Sequence, residues 1–294
     1  MDGIESQREM ASKPGYAQRP GTQAPGCPVS PTSFRQVPGS DVVKSCCAAL
    51  YQDDYLRVLL GDSFHPGGVV LTKYLGSVLE LGPSDHVLDV ASGSGTSAVA
   101  LADTFGCRVT GVDYGEGSVA RANTAAHDLC DFHVGDAERL PFEDEAFDAV
   151  ISECAFCTFP AKDVAAREMF RVLKPGGRLG LTDLTIGGPV PAGLDNLLSV
   201  VACIGDARSA AEYEAILIAG GFADLIKQDQ SQHLLAMVTD MRKKIDLARL
   251  ASAIKKLDLG GLDLEAARAT AQLAIATIES GMAGYVLLAG RRPD

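Results

Sequence analysis

Short apolar runs alternate with helical periodicity between residues 86 and 184. The runs have the length of single β-strands, and the segments between them repeat apolar positions every three to four residues. This alternation predicts an α/β fold with a Rossmann-like, mostly parallel sheet and helices on both faces. The loops that follow the strands then share one edge, where ligands bind. The predicted strands are 86–91, 108–112, 131–134, 146–152 and 178–184, and the predicted helices are 96–104, 118–127 and 161–173.

The flanking segments divide the chain further. Residues 1–40 are rich in Pro, Gly, Ser and Gln without apolar periodicity, which predicts a disordered tail. A helical pattern over 41–82 predicts an N-terminal cap in front of the main domain, 83–294. Within that domain, helical patterns over about 230–282 predict an insertion before a final strand near residue 284.

Composition limits the partners and the location of the protein. With 26 Lys and Arg against 38 Asp and Glu, the formal net charge is −12, which disfavours nucleic acid and anionic membranes as partners. No apolar run reaches the ~20 residues of a membrane helix, and the N-terminus lacks the apolar core of a signal peptide. We therefore expect a cytoplasmic protein with reduced thiols, and its 8 cysteines require an explanation other than disulfides.

The sharpest local signal is the segment 87–98, which reads strand, glycine turn, helix. Glycines let the backbone approach a ligand closely, and the helix that follows offers unpaired N–H groups. Gly93-x-Gly95-x-x-Ala98, with Asp113 20 residues after Gly93, also fits a dinucleotide fingerprint. Asp89, inside the strand, argues against that reading because its carboxylate repels a pyrophosphate and suits a cationic ligand.

Further motifs follow in order: Gly135-Asp136-Ala137, Leu140-Pro141-Phe142, and Lys174-Pro175-Gly176-Gly177 before the fifth strand. Together with the glycine turn, they resemble the class I S-adenosylmethionine (SAM)-dependent methyltransferases over residues 85–185. The resemblance implies a seven-stranded sheet whose last strand is antiparallel, with SAM at the carboxyl ends of the first strands. It also implies cofactor-binding roles for Asp89 (amino end), Gly93 and Gly95 (methionine side), Asp113 (ribose hydroxyls), Asp136 (adenine amino group) and Ala137 (backbone N–H).

The positions of the cysteines separate them into two groups. Cys27, Cys107 and Cys130 lie in the tail or before strands, where small reduced residues are common. Cys154 directly follows the fourth strand, and the remaining thiols lie in the cap or after the fifth strand. These thiols are Cys46, Cys47 and Cys203.

This second group resembles the arsenite methyltransferases, through the Cys46-Cys47 pair, Ile151-Ser152-x-Cys154 and Cys203-x-Gly205-x-Ala207. The resemblance implies that Cys154 and Cys203 bind trivalent arsenic, with a cellular thiol as reductant. It also implies that Cys46 or Cys47 supplies either the third ligand or a disulfide that resolves the site. Thiolates are the ligands a soft ion prefers, and arsenic held by three sulfurs keeps a lone pair that can attack the SAM methyl group without a base. The leading hypothesis is therefore methylation of arsenite.

Several alternatives remain open. Cys157 follows Cys154 by three residues, which also fits a further arsenic ligand, a redox pair or half of a zinc site. The acceptor of the methyl group could instead be a small organic molecule such as a quinone, sterol or secondary metabolite, with His65 or Glu153 as base. A thiol metalloid sensor without turnover is a third reading, and buried cysteines that only pack are a fourth. The sequence specifies no oligomeric state.

Overall fold

The computed structural model describes residue 44 and residues 65–125, 127–191, 193–194, 206–253 and 263–294. Within these ranges the α-helices are α1 (Gly68–Val78), α2 (Thr96–Phe105), α3 (Glu116–Thr124), α4 (Lys162–Val172), α5 (Ala210–Ala219), α6 (Ser231–Ala253) and α7 (Leu264–Glu279). The strands are β1 (His86–Val90), β2 (Arg108–Asp113), β3 (Cys130–Val134), β4 (Phe147–Glu153), β5 (Leu173–Ile186), β6 (Ala223–Asp229) and β7 (Ala283–Arg291).

The strands form one seven-stranded sheet in the order β3-β2-β1-β4-β5-β7-β6. Strands β1 to β5 pair in parallel, whereas β7 is antiparallel to both β5 and β6. The chain reverses its direction of strand addition between β3 and β4, on either side of β1, and this is where open α/β sheets bind ligands. The predicted fold class is confirmed, including the antiparallel last strand.

The central strands are nearly continuous in apolar residues because both faces of the sheet are covered. Val87, Leu88 and Val90 of β1 are fully buried, as are Val150 and Ile151 of β4. The core therefore lies along the middle of the sheet, and Asp89 and Glu153 lie toward the carboxyl ends of these strands.

Strand β5 begins five residues earlier than the predicted strand at 178, since its range includes the Lys174-Pro175-Gly176-Gly177 segment. Gly176 has a left-handed φ of 70°, and the register of β5 with β4 shifts across the segment, which therefore forms a bulge in the strand. The Gly176 N–H donates to the Arg292 carbonyl at 3.0 Å, and the Arg292 N–H donates to the Gly177 carbonyl at 2.8 Å, so the chain beyond β7 holds this bulge in place.

Helix α1 belongs to the predicted cap and packs closely on the main domain. A Cβ on Gly180 of β5 would lie 2.8 Å from the Leu75 side chain, and one on Gly76 would lie 2.4 Å from the Phe105 ring of α2. This close approach brings the polar face of α1 to the carboxyl end of β4. The domain limits at 40 and 82 stay a prediction, because residues 1–43 and 45–64 lie outside the described ranges.

Candidate active site

An open cleft lies at the carboxyl ends of β1, β2, β3 and β4. Five of the six residues for which the sequence predicts cofactor contact line it, and Gly95 lies in the same loop at the start of α2. The strand ends and the residues that follow them contribute Asp89, Ala91, Val112, Asp113, Asp136, Ala137, Glu153 and Cys154.

The glycine loop forms one wall of this cleft. Gly93 and Gly95 have φ angles of 56° and 82°, and Ala91 also adopts a left-handed φ of 64°. A Cβ on Gly95 would meet the Phe132 ring at 2.5 Å, whereas a Cβ on Gly93 would have no atom within 4 Å. Gly95 is therefore needed for packing, and Gly93 keeps open the space in front of α2.

Asp113 ends β2 and accepts backbone hydrogen bonds on both oxygens. The Gly93 N–H donates to Oδ2 at 2.9 Å, and the Gly115 N–H donates to Oδ1 at 2.8 Å. Burial raises the pKa of Asp113, and the two N–H donors and Arg121 partly counter that effect. Each carboxylate oxygen keeps a second lone pair, so both can also accept from a ligand's hydroxyl groups.

Asp136 follows β3 and meets a cation from the N-terminal segment. Lys44 Nζ donates to Asp136 Oδ2 at 2.7 Å and to Glu138 Oε2 at 2.5 Å. Burial lowers the pKa of Lys44, but hydrogen bonds to both carboxylates more than offset this, and the net shift is upward. Ala137 is partly buried between these two acidic residues and packs against the core.

Asp89 is the most deeply buried acid of the cleft, with 2% of its surface exposed. Burial raises the pKa of Asp89 well above its ordinary value, and the nearby carboxylates of Glu153 and Asp113 raise it further. Three buried atoms at this end of the cleft have no hydrogen-bond partner among the described residues. They are Asp89 Oδ2, Ser92 Oγ and Glu153 Oε1.

Glu153 ends β4, and hydroxyl groups from two helices hold one of its oxygens. Thr72 of α1 and Ser97 of α2 donate to Oε2 at 2.8 and 2.7 Å. His65 Nε2 lies 3.6 Å from the same oxygen, and the exposed fractions of the two side chains are 8% for His65 and 3% for Glu153.

Both ring nitrogens of His65 have polar neighbours. Nε2 lies 3.3 and 3.4 Å from the Thr72 and Ser97 hydroxyls, and Nδ1 lies 3.3 Å from the Pro66 carbonyl. Glu153 Oε1, in contrast, has no hydrogen-bond partner among the described residues. Of the two bases that the sequence suggests, Glu153 is the one with an unoccupied acceptor atom.

The described thiols do not converge on the cleft. None of Cys107, Cys130, Cys154 and Cys157 forms a disulfide. Cys154 lines the cleft with a left-handed φ of 54°, whereas Cys157 lies in a 3-10 turn, is fully buried and is not among the lining residues. The predicted arsenic ligands Cys46, Cys47 and Cys203 lie outside the described residues. Within the described ranges, no group of three or more His, Cys, Asp and Glu side chains is arranged to hold a metal ion.

Sequence reasoning missed three side chains at this site: Thr72, Ser97 and Lys44. Thr72 lies in α1, whereas His65 lies in the turn before the helix, so helical spacing does not place the two side chains together. Ser97 belongs to the first turn of the helix after the glycine loop, which is a ligand-facing position. No local pattern marks Lys44, because its partners are more than 90 residues away.

Comparison with known proteins identifies the family. Residues 88–181 match the family model described as a methyltransferase domain. The 27-O-demethylrifamycin SV methyltransferase of Amycolatopsis mediterranei is 31% identical over 262 residues, which cover 82% of this chain and 94% of that protein. The chain belongs to the SAM-dependent methyltransferases. This methyltransferase is also 30% identical over 165 residues to the arsenite methyltransferase of Halobacterium salinarum, covering 53% of this chain and 42% of that enzyme.

A solved structure shares the fold. Phosphoethanolamine N-methyltransferase 2 of Haemonchus contortus, solved with phosphomonomethylethanolamine and S-adenosylhomocysteine (SAH), superposes with a TM-score of 0.73 at 19% identity. The match covers 88% of this chain and 61% of that one.

The cleft fits SAM as cofactor on its own chemistry. The unpartnered Asp89 Oδ2 and Glu153 Oε1 are acceptors in an acidic pocket, which suits the positive charge of SAM. The open space at Gly93 admits a ligand against the backbone. No helix in the described part of the chain is long and apolar enough to cross a membrane.

Proposed function

We propose that this methyltransferase transfers the methyl group of SAM to a hydroxyl group of a small organic molecule. The observation that carries the proposal is the Glu153 carboxylate, which lines the cleft with Oε1 unpartnered and Oε2 held by Thr72 and Ser97. A hydroxyl nucleophile must lose a proton as its oxygen is methylated, and a fixed carboxylate supplies the acceptor. The relative that matches over most of its length is named as an O-demethylrifamycin methyltransferase, which supports the same class.

In this proposal, separate residues bind SAM and accept the proton. Asp89 binds the amino end of SAM, Asp113 the ribose hydroxyls, and Asp136 and the Ala137 N–H the adenine ring. When bound, SAM supplies an electrophilic methyl group, and its sulfur keeps the carbon–sulfur electron pair to leave as SAH. Glu153 Oε1 accepts the hydroxyl proton, and Thr72, Ser97 and His65 keep the carboxylate in place. The ordered neighbours contribute mainly by alignment.

The test uses 27-O-demethylrifamycin SV and a set of simpler phenols and secondary alcohols as probes. Purified protein, SAM and each probe are incubated, and the methylated product and SAH are quantified by mass spectrometry. We expect Glu153→Gln to lower turnover by roughly 10²- to 10⁴-fold, the range of a lost general base. Glu214→Gln is the matched control, since Glu214 pairs with Lys227 on the surface at 2.6 Å. If Glu153→Gln turns over substrate at the wild-type rate, Glu153 is not the base.

Arsenite methylation is the second candidate, and one observation favours it: Cys154 is among the residues that line the cleft, directly after Glu153. The partial match to an arsenite methyltransferase supports the same reading. Cys203 and Cys46 or Cys47 would then complete a three-sulfur site in the reducing environment of the cytoplasm.

The arsenite candidate is tested with reduced protein, SAM, As(III) and glutathione, followed by chromatography of methylarsenicals. Cys154→Ser and Cys203→Ser should each abolish product, whereas Cys130→Ser, at the start of β3 and outside the cleft lining, should not. Tight As(III) binding without methylated product would indicate a metalloid sensor instead. Absence of both binding and product would remove arsenic from consideration.

A further inference from the structure

Two buried carboxylate oxygens of cleft-lining residues have no hydrogen-bond partner among the described residues, and they come from neighbouring parallel strands. Asp89 Oδ2 belongs to β1 and Glu153 Oε1 to the end of β4. Asp89 is 2% exposed as a residue, and the Glu153 side chain is 3% exposed. No lysine or arginine of the described ranges forms an ion pair with either one. Burying two acceptors in this way is costly unless a ligand supplies the complementary charge.

The carboxylate of Glu153 is held in one orientation. Thr72 and Ser97 approach Oε2 from α1 and α2, and His65 lies beside the same atom. Helix α1 packs closely against Phe105 and Gly180, which holds the backbone of Thr72 in place. Both donors bind Oε2, and Oε1 has no donor among the described residues.

SAM carries two positive groups, an ammonium and a sulfonium, whereas SAH carries only the ammonium. We propose that Glu153 Oε1 faces the sulfonium and makes this methyltransferase prefer SAM to SAH, while Asp89 serves the ammonium common to both. This inference rests on the proposed function in placing Glu153 at the methyl end. During transfer the attacking oxygen, the methyl carbon and the sulfonium sulfur lie in line. A base within about 3 Å of the attacking oxygen is therefore only a few ångströms more distant from the sulfur than from that oxygen.

The consequence is a charge-dependent release of product. Before transfer, Glu153 attracts the cationic sulfur. After transfer the sulfur is neutral, and Glu153 is also neutral because it holds the proton taken from the acceptor. The attraction between Glu153 and the sulfur is therefore lost. SAH then binds through its ammonium and adenosine groups alone, which limits inhibition by the product.

Isothermal titration calorimetry with SAM and with SAH tests the inference and needs no methyl acceptor. We expect Glu153→Gln to weaken SAM binding roughly tenfold or more, the effect of one charge pair a few ångströms apart in a partly buried site. The same variant should change SAH affinity by less than about twofold. Asp89→Asn should weaken both ligands, and Glu214→Gln neither. Equal losses for SAM and SAH in Glu153→Gln, or no loss for SAM, would overturn the inference.

A second pair of variants keeps the test decisive if Glu153→Gln folds poorly. Thr72→Val removes one donor to Oε2 and should weaken SAM more than SAH, and Thr72→Ser should restore the preference. Thr277→Val is the control, because the Thr277 hydroxyl is also buried in a helix but bonds only to the Leu273 carbonyl. If Thr72→Val leaves the ratio of SAM to SAH affinity unchanged, the inference that Glu153 distinguishes the sulfonium from the neutral sulfur is wrong. Because calorimetry uses no methyl acceptor, a failure of the SAM preference can be distinguished from a failure of the proposed hydroxyl methylation.

Discussion

Gly93 and Gly95 lie two residues apart in one loop, yet replacing each with alanine should have different consequences. Both have left-handed φ angles, 56° and 82°, and a Cβ in that region costs about 1–2 kcal/mol. Alanine also restricts the unfolded chain, which returns about 0.4–1 kcal/mol. For Gly93, whose Cβ would meet no atom within 4 Å, these contributions leave a net cost of about 0–1.6 kcal/mol.

Gly95 carries an additional cost. Its Cβ would lie 2.5 and 2.8 Å from two atoms of the Phe132 ring and 3.3 Å from Ala122, so the ring and the helix α3 must shift. Overpacking of this kind costs about 1–3 kcal/mol. With the backbone contributions added, we expect Gly95→Ala to lower the free energy of unfolding by about 1–4.6 kcal/mol.

The binding of SAM should respond in the opposite order. The alanine methyl group at 93 occupies the open space in front of α2. Gly93→Ala should therefore fold normally but bind SAM weakly. Urea unfolding followed by far-UV circular dichroism measures stability, a suitable probe because the chain has no tryptophan. Calorimetry measures SAM affinity. Equal stability losses in the two variants, or wild-type SAM affinity in Gly93→Ala, would refute this assignment of the two glycines.

Three further predictions follow from buried polar groups. Burial and neighbouring carboxylates raise the pKa of Asp89, and a bound cation lowers that pKa, so SAM binding should release a proton. The affinity for SAM should therefore increase by up to about tenfold for each unit by which the pH rises. Asp89→Asn should lack this pH dependence. Calorimetry in two buffers of different ionisation enthalpy counts the proton. Lys162→Met should cost about 2–4 kcal/mol in urea unfolding, because it removes the hydrogen bonds from the buried ammonium to the Cys157 and Phe159 carbonyls and the ion pair with Asp206. A change under 1 kcal/mol would contradict this. Tyr285→Phe should cost only about 0.5–1.5 kcal/mol, the loss of one bond to Thr182 at 3.0 Å, with SAM affinity unchanged.

The sheet and the cofactor edge could be predicted from the sequence because their determinants are local. The strand, the glycine turn and the helix of 86–105 are contiguous, and Asp113 and Asp136 directly end or follow strands. Parallel pairing then brings these ends to one edge without further information.

The Glu153 network could not be predicted in the same way. His65 and Thr72 come from α1 and the turn before it, Ser97 from α2 and Glu153 from β4, and only the packing of α1 against Gly180 joins them. Spacing also misled at the thiols. Cys154 and Cys157 are three residues apart, but the 3-10 turn directs Cys157 into the core, where its N–H donates to Asp183 at 2.9 Å.

The position of β7 constrains the order in which the sheet can assemble. Strand β6 pairs only with β7 within the described sheet, and β7 also closes the open edge of β5. A ribosome makes β1 to β5 first, so the half that carries the glycine loop and Glu153 can form while the rest is still being synthesised. Strand β6 emerges before β7 yet has no edge to join, and it must wait for α6, α7 and β7 to follow. A chain interrupted anywhere between residues 230 and 282 would therefore retain the cofactor edge but expose the flank of β5 as an unpaired edge open to aggregation.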